Sequence, residues 1–243
     1  MTLTGELRVL VVVPAFNEAE SLGSVVSRIR EIGFQVVVVD DGSEDQTSDV
    51  ARAAGARVLT LPINLGVGGA LQCGFRYAIE NGYQVVVQCD ADGQHSPDHI
   101  SSLVQALTES GASLVIGSRF RSLDNKLMPS AVRRIPMRLM AAIASRATGT
   151  TITDATSGFR AIRRPLLDEF AEHFPVHYLG DTFEALCGAG KAGYEVVEIG
   201  VPMAERQHGK SSATSARAVG LIAKSILSTL LGFQAHVPPR QHS

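Results

Sequence analysis

The hydrophobic pattern divides the chain near residue 120. Before that point, short apolar runs alternate with longer stretches whose apolar positions recur at helical spacing. Val9 to Val13, Val36 to Val39, Arg57 to Leu61, Val85 to Val87 and Leu114 to Ile116 read as strands. Glu18 to Ile32, Gln46 to Ala54, Val67 to Asn81 and Pro97 to Glu109 read as helices between them. The run Val85-Val86-Val87 does not alternate with polar residues, which is the pattern of a strand buried on both faces. Strands separated by helices of such length make βαβ units. The spacing therefore predicts one α/β domain with a mainly parallel sheet and helices on both faces.

Beyond about Phe120 the rhythm is lost. Arg121 to Ser130 reads as a mobile loop, and Ala131 to Ala147 as a helix carrying Arg133, Arg134, Arg138 and Arg146. Asp154 to Ile162 is turn-rich and then extended, Thr182 to Ala192 is helical, and Glu195 to Val201 is a further strand. His173 and His177 read as surface or loop residues. Neither an internal repeat nor a low-complexity tract interrupts the pattern.

Polar residues gather where the strands end. The Val85 strand runs into Asp90-Ala91-Asp92-Gly93-Gln94-His95. Residues two apart in an extended chain point the same way, so Asp90 and Asp92 face a space beyond the strand's carboxyl end. Open parallel sheets bind ligands there. Two carboxylates, the Gln94 amide oxygen and the His95 ring are a donor set for Mg²⁺ or Mn²⁺. An Asp-Gly turn with no ligand accounts for the same residues equally well on their own.

The first strand ends in Pro14-Ala15-Phe16-Asn17-Glu18, where Pro14 stops the ladder and Asn17 can cap the next helix. The second ends in Asp40-Asp41-Gly42-Ser43. Carboxylates at adjacent strand ends repel one another unless a cation or a ligand's donors compensate. Asn64 to Ala70 is a glycine-rich turn entering a helix, whose backbone N–H groups can approach a phosphate. No Gly-Lys-Ser/Thr follows it, and the first strand does not lead into Gly-x-Gly-x-x-Gly. Those absences speak against a kinase, an NTPase or a nicotinamide enzyme.

The bulk properties exclude little more. The chain has 243 residues, 45% apolar and 19% charged, with a net charge of -2. That is an ordinary globular composition with no global attraction for nucleic acid. Cys73, Cys89 and Cys187 are odd in number and lack metal spacing, as expected of buried thiols in a reducing compartment. With neither a signal peptide nor a run long enough to span a bilayer, the expected location is cytoplasmic. Residues 215–233 qualify that reading. They place Val219, Ile222, Ile226, Leu230 and Phe233 at helical spacing, with Arg217 and Lys224 among them. Such a segment lies peripherally at the inner face of a membrane, docks on a small membrane-protein partner, or packs on the domain's own core.

In order and spacing, Pro14 to Glu18, Asp40 to Ser43, Asn64 to Ala70, Asp90 to His95 and Gly117-Ser118-Arg119 make the chain resemble the family 2 inverting glycosyltransferases, which have the Rossmann-like GT-A fold. The resemblance covers about Val9 to Lys210. It is strongest to the dolichol-phosphate mannose synthase and polyprenyl-phosphate glycosyltransferase branch. The residues that carry it are Asp-Ala-Asp-Gly-Gln-His, Asp154 to Arg160, Glu198-Ile-Gly-Val-Pro, and Arg206, Gly209, Lys210 and Ser211.

The resemblance implies a single GT-A domain over 1–212, with a nucleotide-binding half over 1–119 and an acceptor half over 120–212. An amphipathic helix over 213–235 and a tail over 236–243 follow. It implies that Pro14, Ala15, Asn17, Glu18, Gly66 and Ala91 line the nucleotide-sugar pocket, and that Asp41 contacts the base or ribose. Asp90 would orient the sugar, while Asp92 and Gln94 would hold Mg²⁺ or Mn²⁺ on the diphosphate. Arg119 and Arg133 or Arg134 would meet the phosphate of a lipid acceptor, and Arg206 and Lys210, with His208 between them, would close over the phosphates.

Three functions fit that assignment. The first is metal-dependent transfer of a hexose from a UDP- or GDP-sugar to a polyprenyl phosphate. Such an acceptor, with a second pKa of about 6, is ionised at neutral pH and needs positioning more than a base. The second is transfer to a soluble hydroxyl, which requires a carboxylate base. Asp154, Asp181 and Glu184 are the candidates, and Asp181 and Glu184 share a face of a predicted helix that a solvated surface would explain as well. The third is a non-catalytic nucleotide-sugar-binding subunit of a membrane complex. Processive members of the family carry a Gln-x-x-Arg-Trp signature, and the absence of tryptophan here argues against polymer synthesis. The oligomeric state is open.

Overall fold

The computed structural model describes residues 7–121, 131–175, 181–202 and 237; for 131–134 it describes the backbone alone. The first half alternates as the sequence predicts: β1 (Val9–Ala15), α1 (Ala19–Glu31), β2 (Gln35–Asp40), α2 (Thr47–Ala53), β3 (Arg57–Thr60), α3 (Gly66–Glu80) and β4 (Val85–Gln88). Next come α4 (Ile100–Ser110), β5 (Leu114–Ser118), α5 (Ala131–Thr148), β6 (Arg160–Arg163), α6 (Leu166–His173), α7 (Asp181–Lys191) and β7 (Val196–Gly200).

The strands lie in the order β3-β2-β1-β4-β6-β5-β7. All pairings are parallel except those of β6, which runs antiparallel to both β4 and β5. Successive side chains of a strand point to opposite faces. Accordingly Leu10, Val12, Val37, Val39 and Val86 pack with residues of α3, α5, α6 and α7, whereas Val11, Val13, Val36, Val38 and Val87 pack with α1 and α4. Two buried faces are why these strands are valine runs without polar alternation.

The crossovers leave β1 in opposite directions, toward β2 and β3 on one side and β4 on the other. The carboxyl ends of β1 and β4 therefore flank the point where the strand order reverses, the usual crevice for ligands in open α/β sheets. Because β6 is antiparallel, its first residue, Arg160, stands beside Gln88 and Ile116 near the carboxyl ends of β4 and β5. The turn that precedes it, Asp154 to Phe159, is thereby delivered to the same crevice.

Several local expectations change. The helix expected over Pro97–Glu109 begins as a 3₁₀ turn, Pro97–His99, with the Ser96 side chain accepting from the Asp98 N–H, and α4 proper ends at Gly111 in the left-handed region. The segment after β6, which carries no clear period, forms α6. It packs on α3 through Phe170 and through Phe174, whose ring meets that of Phe75 edge-on at 5.3 Å. His173 is on the surface, as expected, but in the last turn of α6, 3.7 Å from Glu169. Asp181 and Glu184 do not form a solvated face, since both are buried. Val237, in the tail expected over 236–243, is buried in the core. Residues 215–233, His177 and His208 lie outside the described residues. Among those described, no helix is long and apolar enough to cross a membrane.

Candidate active site

The loops after β1, β2 and β3 are laced into one wall. The Asn17 N–H donates to Ser43 Oγ at 2.9 Å, and Asn17 Oδ1 accepts from the Glu44 N–H at 2.9 Å. The Glu18 N–H donates to Thr47 Oγ1 at 2.9 Å. Asn17 therefore bridges two loops and does not cap α1, which starts after Glu18 without a side-chain cap. Its left-handed φ of 54° is one that asparagine tolerates better than most residues.

Asp41 belongs to the same wall. Its Oδ1 accepts from the Leu65 N–H at 2.7 Å, and the side chain is buried. Burial pushes its carboxyl up, and the N–H groups of Leu65 and Gly66 offset this only in part. Gly66 also donates to Asn64 Oδ1 at 3.0 Å. In the glycine-rich turn these N–H groups point to Asp41 and Asn64.

At the end of β4, Asp92 Oδ1 accepts from the Gln94 N–H at 2.9 Å, which curls the loop and keeps Asp92 mostly buried. Asp90 is more open, its side chain 35% exposed. His95 Nδ1 lies 3.2 Å from Asp90 Oδ2, and the imidazole stacks on Phe159 with 5.2 Å between centroids and an 11° tilt. Its other nitrogen, Nε2, is buried without a partner. This placement removes His95 from the expected metal ligands, because one nitrogen meets Asp90 and the other is shut in. The remaining set of two carboxylates and the Gln94 amide consists of hard oxygen donors. Among the described residues, no group of three or more His, Cys, Asp and Glu converges on one point. A small oxygen set fits a divalent cation that draws its other ligands from water and substrate phosphates.

At the end of β5, Arg119 meets Asp154. Nε donates to Oδ2 at 2.6 Å, Nη2 to Oδ1 at 2.8 Å and to Thr156 Oγ1 at 2.8 Å. Burial pushes the Asp154 carboxyl up, but the hydrogen bonds and charge of Arg119 more than offset it and hold it below the usual carboxylate range. Both oxygens of Asp154 are thus engaged, which weakens it as a proton acceptor. Glu198, buried on β7, accepts from the N–H of Asp154 at 2.8 Å and from both the N–H and hydroxyl of Thr153. It anchors the turn that presents Asp154.

Ser157 Oγ donates to the Gly117 carbonyl at 2.6 Å, tying the same turn to β5. Gly158 follows, and a Cβ there would stand 2.7 Å from Asp90 Oδ1. Arg160, fully buried, donates to the carbonyls of Ser157 at 2.8 Å, Ala155 at 3.2 Å and Thr182 at 2.7 Å. Desolvation pulls its guanidinium down to about 10. Its bond to Thr182 joins the turn to the start of α7, where Asp181 is 2% exposed. Asp181 Oδ1 accepts from the Thr182 N–H at 2.7 Å, whereas Oδ2 is buried without a partner. Desolvation pushes this carboxyl up to about 6, against the pull of Thr182 and Arg160.

One turn, Asp154 to Arg160, thus gathers Asp90, Arg119 and Asp181 from three elements around the ends of β4 and β5. Pro14, Ala15, Asn17, Glu18 and Asp41 lie in the adjoining wall. The side chain of Arg134 and both Arg206 and Lys210 lie outside the described residues. Sequence reasoning gave no role to Gly158, Arg160 or Glu198, although all three fall within motifs it singled out. It assigned motifs, and only the fold shows that these residues hold others in place.

Comparison with known proteins agrees with this geometry. Residues 10–170 match the model of glycosyl transferase family 2. The chain is 33% identical to undecaprenyl-phosphate mannosyltransferase of Micrococcus luteus, over 91% of this chain and 92% of that protein. It is 34% identical to polyprenol monophosphomannose synthase of Mycolicibacterium smegmatis, over 84% of this chain and 80% of the other. Its fold resembles glucosyl-3-phosphoglycerate synthase of Mycobacterium tuberculosis, solved with Mn²⁺, UDP-glucose and phosphoglyceric acid. The TM-score is 0.69 at 26% identity, covering 93% of this chain and 79% of that one. With a family model matched over residues 10–170 and relatives more than 30% identical over most of its length, the chain belongs to glycosyl transferase family 2 and is a glycosyltransferase of the GT-A fold.

Proposed function

We propose that the protein moves a hexose from a UDP- or GDP-linked sugar to a polyprenyl phosphate. The observation that carries this reading is the bidentate Arg119–Asp154 pair. It weakens Asp154 as a base and sets a guanidinium at the end of β5, within the electrostatic reach of Asp90 and Asp92. An ionised phosphate acceptor needs positioning rather than a base, which suits a site where this carboxylate is committed to an ion pair. The names of the Micrococcus and Mycolicibacterium relatives support the same acceptor class.

Asp90 faces the donor sugar in this reading, and Asp92 and Gln94 hold Mg²⁺ or Mn²⁺ against the diphosphate. When bound, that cation neutralises charge developing on the leaving nucleoside diphosphate. The wall of Pro14, Ala15, Asn17, Glu18, Asp41, Gly66 and Ala91 encloses the nucleotide. Arg134, Arg206 and Lys210 meet phosphates, and residues 215–233 bring the domain to the inner face of a membrane or to a membrane-protein partner.

One observation favours transfer to a soluble hydroxyl instead. Asp181 has a buried, unpartnered Oδ2 and a carboxyl pushed up to about 6, both suited to a general base. The structural likeness to glucosyl-3-phosphoglycerate synthase supports this second reading. The two are separated by incubating the protein and Mn²⁺ with labelled UDP-glucose or GDP-mannose and either undecaprenyl phosphate or phosphoglycerate. Label passing into the organic phase with undecaprenyl phosphate is the expected result. Label confined to a water-soluble glycoside would overturn the lipid reading.

A further inference from the structure

We propose that His95 is a positioning residue for Asp90, fixing the orientation of that carboxylate by donating a hydrogen bond from Nδ1. The proposal rests on the reading of Asp90 as the group that faces the donor sugar.

The tautomer follows from burial. His95 is 4% exposed, Nδ1 stands 3.2 Å from Asp90 Oδ2, and Nε2 is enclosed with no partner. A proton on Nε2 would bury an unsatisfied N–H and turn the Nδ1 lone pair toward a carboxylate oxygen, and both are unfavourable. With the proton on Nδ1, the ring offers a donor to an acceptor and shuts in only a lone pair. A hydrogen on Nδ1 satisfies the site.

The direction of that bond is fixed from outside the loop. His95 comes from the turn after β4, but the surface it stacks on, Phe159, comes from the turn before β6 and is fully buried. Stacking on Phe159 fixes the plane of the ring and so resists tilting of Nδ1 away from Asp90. The neighbouring Gly158 crowds the same carboxylate, since a Cβ there would lie 2.7 Å from Oδ1 and 3.0 Å from Oδ2. Asp90 therefore has an imidazole N–H and a bare stretch of backbone against its carboxylate, and its side chain stays 35% exposed. Such pre-organisation by surrounding groups is what a reacting centre needs, because small displacements there cost rate.

The test separates the hydrogen bond from the packing. His95→Phe keeps an aromatic ring on Phe159 but has no donor, and His95→Leu is a smaller variant that also lacks one. His95→Asn places an amide N–H near the position of Nδ1. With the nucleotide sugar that supports turnover, kcat should fall about tenfold or more in the Phe and Leu variants and recover most of that loss in Asn. The donor KM and Tm should change little. Each change is then combined with Asp90→Asn. If His95 acts through Asp90, adding His95→Phe or His95→Leu to Asp90→Asn should cost no more than about twofold further. Fully additive losses, or donor-free variants that retain wild-type kcat, would overturn the proposal. Full transfer by Asp90→Asn alone would instead remove the donor-facing reading of Asp90.

Discussion

Arg119 and Asp154 occupy each other. Nε and Nη2 of the guanidinium grip the two carboxylate oxygens at 2.6 and 2.8 Å. Removing one member of a buried pair strands the other charge, at a cost of about 3 to 5 kcal/mol. Asp154→Ala should therefore destabilise the fold by about that amount in urea titration. Arg119→Lys should also destabilise it, because an ammonium cannot span both oxygens and Thr156. The folded-state carboxyl of Asp154 lies below its ordinary value, so its contribution is complete above about pH 4 and is lost as the pH falls through the folded value. The wild type should lose stability below pH 4 more steeply than Asp154→Asn, as read by Tm against pH.

Gly158 is required by close approach, not by its own dihedral angles. A methyl group there collides with both oxygens of Asp90, so the aspartate must rotate away or the turn must shift. Gly158→Ala should lower kcat by about ten- to a hundredfold, the scale associated with misplacing a catalytic group by about 1 Å. Stability should fall by only about 1 kcal/mol, because the collision involves a partly exposed side chain that can move. Steady-state kinetics beside a melting curve checks the split, and an unchanged kcat would remove the steric argument.

Much of the first half was legible because each valine strand is sealed on both faces, so composition alone marked β1, β2 and β4. The acidic ending of β4 was legible as a feature, but an Asp-Gly turn explained Asp90 and Asp92 as well until the polar ends of the neighbouring strands were added. The second half was harder for physical reasons. β6 is four residues long and antiparallel, and no local pattern announces the direction of so short a strand. That direction brings the turn Asp154 to Phe159 into the crevice. Arg160 looked like one more polar residue of a turn, but its guanidinium is satisfied by three backbone carbonyls that are far apart in sequence or hidden by folding. Asn17 does not cap α1 because its partners, Ser43 and Glu44, are chosen by loop packing rather than by the helix it precedes.

Asp92 offers the clearest test of the cation site. Its Oδ1 accepts from the Gln94 N–H, so Asp92→Asn preserves the shape of the loop while removing the negative charge. Loss of about 3 kcal/mol of charge stabilisation corresponds to about a hundredfold in rate. Asp92→Asn should lose at least that much activity, and Mn²⁺ should no longer enhance the thermal shift produced by UDP or GDP. The Tm without ligand should be unchanged or slightly higher, because a mostly buried charge has been removed. A variant whose nucleotide-induced shift still responds to Mn²⁺ would place the cation elsewhere.

Asp181 decides between the two acceptors and carries its own pH signature. Desolvation raises its folded-state carboxyl from 3.8 to about 6, so the native protein binds this proton more tightly than the unfolded chain does. The stabilising effect of the protonated form is therefore complete below about pH 4 and is lost as the pH rises to about 6 and beyond. An ionised Asp181 then costs the fold about 3 kcal/mol, on the scale of 1.36 kcal/mol per pKa unit. Asp181→Asn keeps an oxygen for the Thr182 N–H and cannot ionise. It should raise Tm at pH 8 and change it little at pH 4. Its activity then separates the chemistries. Transfer to a phosphate acceptor should survive within about tenfold, whereas loss of a general base from a hydroxyl-directed enzyme should cost about 10² to 10⁴ in kcat. A stabilised variant that has lost a thousandfold in kcat would assign Asp181 as the base and the acceptor as a hydroxyl.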